Sequence, residues 1–194
     1  MSEITYVKQT KNGLLLGIET EGECSSYTVS RALYESLGSP SRGDFIDGAA
    51  LDEIKYRDEC YRAEKKALSL LSLADNNKRT LARKLTATGI SCDIADEVTE
   101  KMVSLGYIRE RDQLERLILA EANVMLRGPL KIMPRLAAKG YSPSDIRLVI
   151  RELSESGELD FARNADRLVE KRLGESPSDE EKKKLLYKSG YKLC

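Results

Sequence analysis

The sequence predicts a mainly α-helical protein: tandem three-helix-bundle repeats in an elongated array, preceded by a small β-hairpin-containing N-terminal unit. Three observations lead there. Hydrophobic residues make up 41% and charged residues 33% of the 194, while aromatics are 6% and Trp is absent; that mixture suits helices with solvated outer faces better than a thick sheet core. The apolar periodicity changes from two to that of a helix at about residue 55. Beyond that point, a pattern of glycine-ended amphipathic segments recurs at a nearly constant interval.

From Ile4 to about Cys24 apolar and polar residues alternate, with Ile4 and Tyr6 before Asn12-Gly13 and Leu14, Leu16 and Ile18 after it. Asn-Gly suits the positive φ of a hairpin turn, and Glu21-Gly22 marks a second turn. Ser30 can cap a short helix carrying Leu33, Tyr34 and Leu37, with Gly38 at its end and Ser39-Pro40 preventing continuation. Phe45-Ile46 forms a short apolar piece before the chain turns helical. Beyond Asp58, Ala63, Ala67, Leu70, Leu71 and Ala74 share one stripe. Asp75-Asn76-Asn77 breaks it and can cap a second helix bearing Leu81 and Leu85, ended by Gly89. Ser91 caps a third, with Ile94, Val98 and Met102 four apart, ended by Gly106.

The same grammar then repeats. Leu81, Leu85 and Gly89 recur 51 residues later as Ile132, Leu136 and Gly140, and both Gly89–Gly106 and Gly140–Gly157 span 17 positions. Val98 and Met102 correspond to Val149 and Leu153, and Ile108 to Leu159. Ser142-Pro143 starts the third helix of the second unit with a cap and a proline at its first position. A third copy opens at Asp160 with Phe161, Ala165, Leu168 and Val169, restarts at Pro177-Ser178-Asp179, and repeats the helix-two ending as Leu186 to Gly190, without a third helix following. The expected organisation is therefore 1–55, 56–110, 111–159 and 160–194, the last an incomplete repeat. A stack of such units offers an extended surface to an extended partner.

The 32 basic and 32 acidic residues cancel, so any electrostatic function must come from segregation of charge. The second helices are basic. Lys78, Arg79, Arg83 and Lys84 belong to the first, Arg127, Lys131, Arg135 and Lys139 to the second, and Lys182, Lys183, Lys184, Lys188 and Lys192 to the third. Lys131, Arg135 and Lys139 are four apart and share one helical face. The third helices are acidic, with Asp93, Asp96, Glu97 and Glu100 in one and Asp145, Glu152 and Glu155 in the other. Mutual neutralisation of neighbouring helices is the alternative to a binding stripe.

No histidine, phosphate loop, nucleophile elbow or metal-ligand cluster occurs, which argues against an enzyme, a cofactor and a metal site. Cys24, Cys60, Cys92 and Cys194 are scattered, as expected of reduced thiols in a cytoplasmic protein. No stretch is apolar enough for a membrane span, and no heptad stripe calls for a dimer, so a monomer is expected.

At Arg127-Gly128-Pro129, followed by Ile132, Leu136 and Lys139-Gly140, the sequence resembles the RecX family, whose middle unit carries Gly-Pro, Ile, Leu and Lys-Gly at these intervals. Ala67-Leu68 through Leu81, Leu85 and Gly89, then Gly106-Tyr107-Ile108, is similar to that family's opening repeat. The hairpin, Tyr27 to Leu37 and Gly43-Asp44 are similar to the leader of longer members. Arg109-Glu110-Arg111-Asp112 departs from the acidic residues and Phe-Ala usual there, and Pro134 lies inside the second basic helix, where it should kink it. The resemblance implies a modulator of the RecA recombinase in homologous recombination, DNA repair and the SOS response. Such a protein lodges in the groove of the RecA filament on single-stranded DNA and lowers its ATPase, strand-exchange and coprotease activities. Arg79, Arg83, Lys84, Arg127, Lys131, Arg135 and Lys139 are then the candidate contacts, with weak direct DNA binding in addition. A helical nucleic-acid-binding module without RecA, or a generic protein-binding scaffold, are the alternatives.

Overall fold

The computed structural model describes residues 1–11, 13–174 and 176–192; Asn12 of the expected first turn and Cys194 lie outside the described residues. The chain forms two compact units, one of Met1–Ser72 with Lys84–Lys101, the other of Leu73–Arg83 with Met102–Cys194.

The first unit opens with strands β1 (Ser2–Thr10), β2 (Gly13–Thr20) and β3 (Glu23–Val29), then helix α1 (Arg31–Ser36) and the two-residue β4 (Phe45–Ile46). They make one antiparallel sheet in the order β3-β2-β1-β4. Glu21 and Gly22 both have positive φ (52° and 84°), the requirement of a tight hairpin turn. A bulge between Ile4 and Tyr6 corrects the expected alternation. Ile4 points into the core opposite Ile18, but Tyr6 moves to the other face and Val7 takes the inward place opposite Leu16. The Tyr6 ring lies where a Cβ on Gly17 would stand, and its hydroxyl meets Ser26 Oγ at 2.6 Å. Ser30 caps α1 as expected, accepting from Leu33 N at 3.1 Å.

Helix α2 runs from Gly48 to Leu73, beginning ten residues ahead of the expected start. Asp47 initiates it by accepting from Ala50 N at 2.7 Å, and Leu51 and Ile54 bury themselves against Ile4, Leu16, Ile18 and Val29. The early turns are recruited by the sheet they cover, since Gly48-Ala49-Ala50 carries little apolar signal of its own. Asp58, 5% exposed, accepts Thr28 N–H at 2.8 Å and pairs with Arg62 at 2.9 Å, so its buried charge is satisfied.

Helices α3 (Lys78–Thr86), α4 (Cys92–Ser104), α5 (Glu110–Leu119), α6 (Pro129–Ala138), α7 (Pro143–Glu155), α8 (Phe161–Leu173) and α9 (Asp179–Ser189) follow. The expected apolar positions Leu81, Leu85, Ile94, Val98 and Met102 are buried, as are Ile132, Leu136, Ile146, Val149 and Leu153. The latter join Leu114 and Ile118 in the closed core of α5, α6 and α7. Recurrent glycines mark recurrent helix closures: Tyr107 N donates to Met102 O, Tyr141 N to Leu136 O and Tyr191 N to Leu186 O, at 3.0, 3.2 and 3.0 Å. Pro134 is accommodated within α6, which remains helical from Pro129 to Ala138. Helix α5 continues into a single π-turn, Ala120–Val124.

Candidate functional site

The basic helices α3, α6 and α9 follow one another end to end, and two joints between them build the candidate site. At the first joint Asn77 caps α3 by accepting Thr80 N–H at 2.8 Å, while its Nδ2 donates to Lys139 O, at the end of α6, at 2.9 Å. Thr80 Oγ1 reaches the same carbonyl at 3.3 Å. At the second joint Gly128 N and Leu130 N, at the start of α6, donate to Ser189 O and Gly190 O, at the end of α9, at 2.9 and 3.0 Å. At the second joint helix-start N–H groups that would otherwise lack partners meet the carbonyls of a helix end, whereas at the first the side chains of Asn77 and Thr80 donate to the end carbonyl.

Asn77 and Gly128 are repeat equivalents, 51 residues apart. One makes the joint with a side-chain amide and the other with its backbone. The second needs closer approach: a Cβ on Gly128 would stand 2.3 Å from Gly190 O. Gly140 and Gly190 close α6 and α9 with φ of 101° and 87°, conformations that L side chains rarely adopt.

The structure does not give the expected cations equal roles. Arg79, Lys131 and Lys139 are exposed, and among the described residues no ion pair holds them. Arg127 and Arg135 converge instead on Glu121, a buried carboxylate of the π-turn; Arg135 Nε lies 3.2 Å from it and Arg127 Nη1 makes a direct bond. Burial alone would raise the Glu121 carboxyl, but the two guanidiniums outweigh it and hold it below the usual carboxylate range. Arg83 is exposed and Lys84 half-buried, Lys84 belonging to the other compact unit. Counted back from the closing glycines, Lys84 is equivalent to Arg135 and Arg83 to Lys184, while the other expected cations have no basic counterpart, so basic character recurs more by helix than by residue.

On the outward side of α6, Leu130, Pro134 and Ala138 form an exposed row next to Lys131, Arg135 and Lys139. Tyr141 and Tyr191 are not stacking platforms. Tyr141 donates to Gln113 Oε1 at 3.1 Å, and Tyr191, 5% exposed, donates to Leu126 O at 3.2 Å. Glu121 and the second role of Asn77 escaped the sequence reading; a single acid or amide in a helical repeat gives no spacing signal. Among the described residues no group of three or more His, Cys, Asp or Glu could hold a metal, and no helix is long and apolar enough to cross a membrane. Cys24, Cys60 and Cys92 are free thiols.

A tandem helical repeat with exposed cations on successive helices offers an extended surface of the kind that binding proteins use. No family model matches the chain. It is 31% identical over 115 residues to the regulatory protein RecX of Stenotrophomonas maltophilia (strain K279a), covering 59% of this chain and 68% of that protein. It is 26% identical over 173 residues to the regulatory protein RecX of Bacillus cytotoxicus, covering 89% of this chain but only 63% of the longer relative. The fold matches a crystal structure of regulatory protein RecX with a TM-score of 0.70 and 19% identity, over 99% of this chain and 95% of that one. It also matches a crystal structure of RecX from Lactobacillus salivarius with a TM-score of 0.58 and 20% identity, over 70% and 90%. The chain belongs to the RecX family of regulatory proteins.

Proposed function

We propose that this chain is a non-enzymatic regulator of the RecA recombinase. It binds the RecA filament on single-stranded DNA along the filament groove and lowers ATP hydrolysis, strand exchange and coprotease activity. The observation that carries this reading is the end-to-end placement of the basic helices, which turns scattered cations into a line suited to a long, repetitive, acidic surface. Arg79, Lys131 and Lys139 make the outer contacts. Arg83 extends the line, Lys84 is a further candidate contact on the other unit, and Arg127 and Arg135 contribute from their clamp on Glu121. Several weak contacts on successive repeat helices add through effective concentration, and one copy that touches several RecA subunits acts below one copy per subunit.

The test is ATP hydrolysis by RecA filaments on single-stranded DNA as this protein is titrated, beside binding to bare DNA at the same salt. Suppression below stoichiometry, and its loss in the triple variant Arg79→Glu, Lys131→Glu, Lys139→Glu, is the expected result. Unchanged hydrolysis with no filament binding overturns the reading. Binding to bare DNA as strong as to filament, falling steeply with salt, would replace it with a nucleic-acid module. The net charge of zero and the hydrogen-bonded tyrosines speak against that alternative.

A further inference from the structure

The two joints differ in one respect that bears on ligand binding. At the α6–α9 joint Phe161, the first residue of α8, stands edge-on to Tyr191, with ring centroids 6.4 Å apart and planes at 79°. The repeat equivalents at the α3–α6 joint are Glu110, 51 residues earlier, and Tyr141. Glu110 supplies no ring; its carboxylate turns to accept Lys78 N–H at 2.8 Å. Beside Tyr141 a cleft of about 420 Å³ opens, its apolar wall made by Leu114, Tyr141, Leu148 and Val149. Leu148 is 39% exposed there, a large apolar side chain facing solvent.

The rim sets the charge of what can enter. Arg111 is held by Glu152 at 2.6 Å and by Glu115 at 3.1 Å, and Asp145 sits in the first turn of α7, where the helix N-terminus favours an acid. Arg79 lines the same cleft, exposed and without an ion pair, with Lys139 exposed one residue before the lining Gly140. An apolar slot of this size beside an uncompensated guanidinium matches a bulky apolar side chain flanked by carboxylates.

We propose that this cleft docks a short acidic peptide segment of a partner protein through one aromatic anchor. The ring takes beside Tyr141 the place that Phe161 holds beside Tyr191, and a flanking carboxylate meets Arg79. The site shares Arg79 with the cationic line but has its own apolar slot, and it does not depend on the filament reading, because a peptide alone tests it.

The probe is a fluorescein-labelled peptide with a single Phe centred among Asp and Glu residues, compared with its Phe-to-Ser counterpart and an all-Glu peptide of equal length. Anisotropy gives affinity, and amide shifts of the full chain give the location. The expected result is saturable binding that weakens about 10-fold without the ring, with shifts at Tyr141, Leu148 and Val149. Leu148→Ser should weaken the Phe peptide about 5-fold, whereas Leu130→Ser, an exposed leucine on α6, leaves it unchanged. Arg79→Gln should weaken the acidic peptide and spare a neutral Phe peptide. Equal binding of the Phe and Ser peptides, shifts confined to α6, or no saturation up to ~1 mM overturns the proposal. Loss of RecA filament binding with peptide binding intact would leave it standing.

Discussion

Replacing Gly128 by Ala isolates the contact on which the α6–α9 joint depends. Gly128 has φ −78° and ψ 166°, which alanine adopts without strain. By local conformation alone the substitution stabilises by about 0.4–1 kcal/mol, through the unfolded chain. The surroundings reverse the sign. The new Cβ would lie 2.3 Å from Gly190 O, 2.4 Å from Gly190 C and 2.5 Å from Tyr191 N, all backbone atoms with no side chain to swing aside. The joint must open. Two backbone hydrogen bonds are then lost at about 1 kcal/mol each, and partial withdrawal of Tyr191 from its buried site adds about 1.5–3 kcal/mol. The net cost is about 3–4 kcal/mol, read by urea unfolding. Native-state exchange should show the Leu130 and Tyr191 amides losing protection by about 100-fold or more. Gly48→Ala, where nothing lies within 4 Å of the new Cβ, is the control and should be neutral or slightly stabilising. Wild-type stability and protection in the Gly128→Ala protein would refute the close approach and the end-to-end joint with it.

Other perturbations follow from the same contacts. Asn77→Ala removes both the α3 cap and the bond to Lys139 O and should cost about 1.5–3 kcal/mol by urea unfolding, with Asn77→Asp intermediate because it keeps the acceptor for Thr80 N; wild-type stability in Asn77→Asp would show that the joint bond contributes nothing, and equal losses that the cap contributes nothing. Glu121→Gln should cost about 1–2 kcal/mol at neutral pH, discounted for the half-exposed Arg135. Because the folded Glu121 carboxyl is held below the ordinary value of 4.5, its contribution is present above that pH and fades as pH falls further; the difference between wild type and variant should close at acid pH, and a constant difference would show that the charge is not involved. Burial pushes the Tyr191 hydroxyl up to about 12. The folded protein thus keeps a proton that the unfolded chain releases above about pH 10, and stability declines from there upward. Tyr191→Phe should cost about 1 kcal/mol at pH 7 yet fall less steeply between pH 10 and 11.5; parallel decline would place the titration elsewhere.

The helical repeat was legible because its markers are backbone requirements. A helix that ends in a left-handed residue favours glycine there, so Gly106, Gly140 and Gly190 announce closures wherever they fall in sequence. The buried positions Leu81, Ile132 and Leu136 were readable for a similar reason, since the core side of a helix is fixed by its period. The sheet was half legible. Turns at Glu21-Gly22 and Ser30 left their signatures, but the bulge that moves Tyr6 to the outer face depends on which residue of β2 lies opposite, and Gly17 is recognisable as its ring seat only once the strands pair. The candidate site divides likewise. Sequence located the basic helices, but the joints between them use an amide side chain at Asn77 and a bare backbone at Gly128, chemically unlike residues performing one task. The clamp on Arg127 and Arg135 was invisible because Glu121 reaches them from a π-turn, whose geometry no helical period anticipates.

That π-turn bears on which length changes the chain tolerates. Helix α6 must present Gly128 N at one end and Lys139 O at the other to two different neighbours. An added residue within it would rotate one end by about 100° and displace it by ~1.5 Å, breaking one joint or the other. Counting from the buried amides Gln113 and Asn164 to the helix starts Gly128 and Ser178, the second repeat is one residue longer than the third. The interval containing that extra residue also contains the widened turn at Ala120–Val124, while α6 keeps its register. Single-residue insertions should therefore be absorbed in the stretch before α6 or in the connection between α8 and α9, and rejected within α6 itself. An engineered array would be lengthened by whole repeats, cut at those connections.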